Sequence, residues 1–156
     1  MERNPTIIFP APGKVVIEER PKPAPQTGEL LIQSRCSLIS TGTELTLLQG
    51  NYPAASAWAR YGHYPVTPGY SNIGQVVDIG VGVEPDWVGR TVATYGKHAL
   101  FVTAQVEDAR LVPSQIPDEQ AVFFTIAEIV LNGVRRSDIC LGESVVIYGL
   151  GLLGQL

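Results

Sequence analysis

Six residues near the C-terminus have the types and spacing of a phosphate-binding turn. Gly149-Leu-Gly151-Leu-Leu-Gly154 carries the pattern G-x-G-x-x-G and follows directly on the apolar run Ser144-Val-Val-Ile147. Entered from a strand, such a turn opens a dinucleotide-binding βαβ unit. The first glycine permits the tight turn and the second lets the backbone approach a pyrophosphate. The third lets the coming helix pack on the strand, and the helix-start amides around Leu152 and Leu153 then face the phosphates. Gly149, Gly151, Leu152, Leu153 and Gly154 are therefore the cofactor-binding candidates. The acidic residue expected about 20 residues further on, which separates NAD from NADP, would fall after Leu156. Residues 142–156 read as the opening of a dinucleotide-binding domain, and residues 1–141 as a front domain.

Count argues against metal chemistry. The two cysteines, Cys36 and Cys140, and the two histidines, His63 and His98, are all isolated in sequence. A structural zinc takes four clustered ligands and a catalytic one three. The expectation is two buried thiols in a reducing compartment, with both histidines on the surface.

Composition narrows the function classes. A chain of 156 residues that is 45% hydrophobic and 17% charged is ordinary for a soluble domain. A net charge of −4 without basic tracts argues against nucleic acid or an acidic membrane as partner. No apolar run reaches the roughly 18 residues of a membrane span, and the N-terminus lacks a signal-peptide layout. The cytoplasm is the expected compartment.

The elements that must position the chemistry follow from the patterning. Thr6–Phe9 and Lys14–Glu18 read as strands joined through Pro10-Ala-Pro-Gly13, and Pro21–Pro25 as an extended linker. Glu29–Ile39 alternates as a half-buried strand, as does Ile73–Ile79. Short strands are expected at 90–93, 99–102 and 109–112. Ser40-Thr-Gly-Thr-Glu44 is a small-residue turn into a short helix, with Thr43 as its cap and Glu44 in its first turn. Asp118–Arg136 reads as one long, largely buried helix, acidic at its start and basic at its end. Glu128 on its apolar face is expected to pair with Arg135 or reach solvent. Gly142–Tyr148 reads as a buried strand. The fold class is thus mainly β with one long helix.

That order of elements resembles the medium-chain dehydrogenase/reductase superfamily, of which alcohol dehydrogenases and quinone reductases are members. The matching stretches are Gly28–Gln33, Ser40-Thr-Gly-Thr-Glu44, Pro68-Gly-Tyr-Ser-Asn-Ile-Gly-Gln-Val-Val77, Asn132-Gly-Val-Arg-Arg136 and the glycine motif. They span essentially the whole chain. The loops Ile39–Glu44 and Tyr64–Tyr70 are most similar to a zinc-free branch that includes the bacteriochlorophyllide dehydrogenases. The resemblance implies a GroES-like β-barrel that carries the catalytic groups, followed by a Rossmann domain binding NAD or NADP. Zinc enzymes of the family place a cysteine near Ser40, a Gly-His-Glu where this chain has Gly69-Tyr70-Ser71, and a third ligand near Thr125. With hydroxyls at those places, no zinc is expected.

The resemblance implies a site without metal, in which hydrogen-bond donors stabilise the charge that hydride transfer develops on a carbonyl oxygen. Tyr70 would polarise the oxygen or relay a proton, with Thr43 or Ser40 assisting. Tyr70 packed on the barrel and hydroxyls spent on turn and helix capping are the plainer readings. Thr125 would face a nicotinamide ring or pack in its helix. The implied function is zinc-independent, NAD(P)-dependent transfer of hydride on an alcohol, carbonyl, quinone or enoyl substrate, without turnover by these 156 residues alone. The alternative is a stand-alone binding or assembly module, whose apolar final strand invites a homo-dimer.

Overall fold

The computed structural model describes residues 2–156. Strands β1 (Arg3–Ile8) and β2 (Val16–Pro21) form an antiparallel hairpin. Its connecting turn passes through Gly13, whose φ of +69° suits glycine. A five-stranded antiparallel sheet follows, built from β3 (Glu29–Ser37), β4 (Asn72–Ile79), β5 (Thr91–Thr94), β6 (Phe101–Gln105) and β7 (Arg110–Leu111) in the order β6-β3-β4-β5-β7. The hairpin joins it through a bridge between Thr6 and Ala99. The fold is mainly β, as the patterning indicates.

Alternation along β3 sends Leu30 and Ile32 into a core with Val76, Val92, Val102 and Ala109. A second cluster, Ile73, Ala93 and Val122, lies under the start of the C-terminal helices. Two register shifts interrupt β3 against β4, at Leu31/Ile32 and Ser34/Cys36. Gly74 faces them, and a Cβ there would lie 2.4 Å from the Gln33 carbonyl oxygen. The two backbones can meet at this depth only because position 74 has no side chain.

The helices are α1 (Thr41–Gln49), α2 (Ala57–Tyr61), α3 (Asp118–Ala121), α4 (Phe124–Arg136) and α5 (Leu152–Gln155). The expected long helix is therefore divided at Val122–Phe123. There the Val122 carbonyl accepts the Ser71 hydroxyl at 2.5 Å, a side-chain bond inserted where the helical ladder breaks. Burial is also less than expected, because only Val122, Thr125 and Ile126 are covered, while Ile129, Leu131 and Val134 are 50%, 50% and 52% exposed. Nor is 142–148 a buried strand: it is paired with no other strand among the described residues, and Tyr148 is 95% exposed. Apolar patterning registers what a segment can bury, and here the second half of α4 and residues 142–148 are left largely uncovered. Cys140 is likewise exposed rather than buried, while Cys36 is half-buried.

The division between core and uncovered apolar residues has a measurable consequence. Ile32→Ala is expected to lower unfolding free energy by about 2–5 kcal/mol, since a fully buried side chain leaves a cavity. Leu131→Ala should cost no more than about 0.5 kcal/mol, as a half-exposed site does. Urea denaturation of the two variants checks both values, and similar losses would contradict this burial pattern.

Candidate active site

Ser40, Thr43 and Tyr70 are brought together by two loops that the sheet holds side by side. Ser40 ends the segment leaving β3 and is the N-cap of α1, a place the sequence had suggested for Thr43. The capping is done by Glu44, not by a hydroxyl. Its Oε2 accepts the Ser40 N–H at 2.9 Å, while the Ser40 carbonyl accepts the Glu44 N–H at 2.9 Å. This reciprocal pair leaves Thr43 free to face outward from the first turn. The Tyr70 hydroxyl lies 3.5 Å from Thr43 Oγ1, at the limit of a hydrogen bond.

Tyr70 is delivered by a backbone that only glycine permits. Gly69 has φ +107°, and a Cβ there would lie 2.5 Å from the His98 nitrogen. The His98 N–H donates to the Pro68 carbonyl at 3.1 Å, fastening the two segments. His98 is correspondingly not on the surface but buried, with Nε2 2.9 Å from Glu44 Oε1 and Nδ1 2.8 Å from Ser37 Oγ. Pattern reading missed this pair because its members are far apart in sequence and no local spacing joins them.

Thr43 and Tyr70 border two cavities. One, of about 680 Å³, is enclosed by Ser40, Thr43, Tyr70, Ile126 and the glycine turn. The other, of about 500 Å³, has Glu44, Trp58, Tyr61 and Lys97 on its far walls. A third cleft of about 510 Å³, beside Arg20 and Phe101, contains none of the candidate residues.

Two positions of the glycine turn admit no side chain. Gly149 has φ +95°, and a Cβ on Gly154 would fall 1.9 Å from the Gly149 carbonyl oxygen, so both must be glycine. Nothing lies within 4 Å of a Cβ at Gly151. Leu152 and Leu153 begin α5 on the wall of the larger cavity.

Zinc does not fit. The Thr125 hydroxyl donates within a cluster made with the Tyr70 carbonyl and Ser71 Oγ, each at 3.1 Å. Ser71 itself donates to Val122. These hydroxyls and carbonyls satisfy one another, and neither thiolate nor imidazole is among them. Among the described residues, no three His, Cys, Asp or Glu side chains are grouped as a metal site would need. Thr125 is buried and turned toward Ser71, whereas Ile126 and Ile129 reach the cavity wall.

The surrounding contacts fix α3 and α4. Arg35 and Asp118 form a two-pronged ion pair, with Nε 2.6 Å from Oδ2, which holds the guanidinium still more firmly charged. Glu128 does not pair with Arg135; it reaches solvent, as expected, and also accepts the Tyr95 hydroxyl at 2.8 Å, a bond that raises the Tyr95 pKa. Burial, and then the charge of Asp118, push the Cys36 thiol up from its ordinary value. A higher pKa means less thiolate at neutral pH. Cys140 is therefore expected to react first with a thiol reagent, and Cys140→Ser should abolish the fast phase. Fast modification of Cys36 in the folded variant would contradict its burial.

No known protein-family model matches the chain. It is 23% identical to the sorbitol dehydrogenase of Halalkalibacterium halodurans, across 92% of this chain and 48% of that protein. It is 25% identical to an uncharacterized zinc-type alcohol dehydrogenase-like protein of Haemophilus influenzae, across 99% of this chain and 52% of that one. The chain thus spans about half the length of the curated relatives it matches. Among solved structures, an alcohol dehydrogenase (rspB) of Escherichia coli CFT073 complexed with NADH superposes with a TM-score of 0.84 at 20% identity, covering 97% of this chain and 51% of that one. No helix among the described residues is long and apolar enough to cross a membrane. In sequence this chain is similar to a sorbitol dehydrogenase and a zinc-type alcohol dehydrogenase-like protein, and in fold it matches about half of an alcohol dehydrogenase.

Proposed function

We propose that residues 1–141 are the catalytic domain of a zinc-independent, NAD(P)-dependent oxidoreductase acting on a small alcohol, carbonyl, quinone or enoyl compound, and that residues 142–156 begin its cofactor domain. The observation that carries this reading is the larger cavity, which sets Ser40, Thr43 and Tyr70 opposite Gly149–Gly154. Bound NAD(P)H would supply the hydride. Gly149, Gly151 and Gly154 would let the backbone follow the pyrophosphate, with the Leu152 and Leu153 amides beside it.

Charge that develops on the substrate oxygen is met by the Tyr70 hydroxyl, which turns its one hydrogen from Thr43 to the substrate and accepts from Thr43 in return. Thr43 and Ser40 support the donor, and Ile126 keeps that wall dry. Thr125 acts from behind by holding the Tyr70 carbonyl. The donor set offers no Lewis-acid ligand, so proton donation rests on hydroxyls. By themselves the 156 residues are expected not to turn over, since the glycine turn is what they offer to a dinucleotide. A soluble, cytoplasmic enzyme suits this chemistry.

In the full-length protein, Tyr70→Phe is expected to lower kcat by about 10²–10³-fold, the effect of removing one oxyanion donor. The KM for NAD(P)H should not change. Steady-state kinetics with NADH and NADPH over a panel of aldehydes, ketones, quinones and enones measures both. Unaltered kcat in Tyr70→Phe would remove Tyr70 from the chemistry, and absence of NAD(P)H binding would remove the oxidoreductase reading.

A second reading is favoured by the exposed run Val145–Tyr148. An unpaired extended segment of this kind can join a second copy. Sedimentation would then give a dimer, which Ile147→Lys returns to monomer.

A further inference from the structure

The buried acid and imidazole beside the site are not used by the chemistry above. Glu44 and His98 have side chains only 3% and 5% exposed, and an ionisable pair this deep is costly unless its bonds are complete. They are complete. Glu44 Oε2 takes the Ser40 N–H, Oε1 meets His98 Nε2, and His98 Nδ1 meets Ser37 Oγ. Each end of this chain is fixed to a different part of the fold: Ser37 ends β3, and Ser40 starts α1. His98, in the middle, belongs to the segment packed against Gly69 and bonded to Pro68.

We propose that Glu44 and His98 are positioning residues of the candidate site, and that the buried chain Ser37–His98–Glu44–Ser40 sets the separation of Thr43 from Tyr70. Thr43 directly precedes Glu44, and Tyr70 follows the glycine pressed on His98. The clamp therefore spans the two loops whose hydroxyls must act together. The chemistry also fixes the proton. In this arrangement Glu44 accepts at both oxygens and Nε2 carries hydrogen toward it. The Ser37 hydroxyl accepts or donates as Nδ1 requires, so it satisfies either state of the ring without moving.

The proposal rests on the oxidoreductase reading only for its effect on rate. Imidazole nitrogen spectra and Tyr70–Thr43 nuclear Overhauser effects test it on the chain itself. The exposed His63, without a hydrogen bond among the described residues, serves as an internal reference. Wild-type His98 is expected to show a protonated Nε2. In Glu44→Gln the side-chain oxygen stays on Ser40 N–H and the amide group turns to His98, so the proton moves to Nδ1. The Tyr70–Thr43 contact survives in that variant and is lost in Glu44→Ala.

If Glu44→Ala does not fold, His98→Asn takes its place in the same comparison. In the full-length protein, Glu44→Ala should lower kcat by about 10²-fold, as a misplaced catalytic group does. The KM for NAD(P)H should hold, and Glu44→Gln should recover most of the rate. An Nδ1–H tautomer in the wild type, or a Tyr70–Thr43 contact that persists in the folded alanine or asparagine variant, overturns the clamp. If the spectra behave as expected while Tyr70→Phe leaves turnover unchanged, the clamp stands and the catalytic reading falls.

Discussion

The close approach of Gly69 to the His98 backbone governs the arrangement around it. A single methyl group at position 69 would collide with the His98 nitrogen. Without that contact, the His98 ring would not reach Glu44, and the loop carrying Tyr70 would stand away from α1. The sheet supplies the frame, because β4 begins directly after Ser71 and β3 ends directly before the turn into α1. One glycine thus lets two loops meet at the ends of interior strands.

What was legible in the sequence was what alternation and punctuation record. Leu30 and Ile32 announced β3, the Ser40–Glu44 turn announced α1, and the glycine spacing announced Gly149–Gly154. Less legible was whatever depends on a distant neighbour. Glu128 faced a tyrosine from β5's end rather than a cation on its own helix. His98 read as a surface residue because its partners, Ser37 and Glu44, are contributed by other elements. The long helix read as continuous because residue types at Val122–Phe123 give no hint that a serine on a loop would bond into it. Its apolar face was visible, but what covers such a face is not written into the face itself.

The hydroxyl cluster behind Tyr70 shows a second economy. Thr125, Ser71 and the carbonyls of Tyr70 and Val122 hold one another where the resemblance to zinc enzymes would have placed metal ligands. Each bond is modest alone, about 0.5–1.5 kcal/mol net. Together they tie α3, α4 and the Tyr70 loop without a charged group.

Tyr70 and Thr43 form a wall common to two cavities. A party wall cannot shift for one room alone. Any rearrangement of these two side chains reshapes both spaces at once.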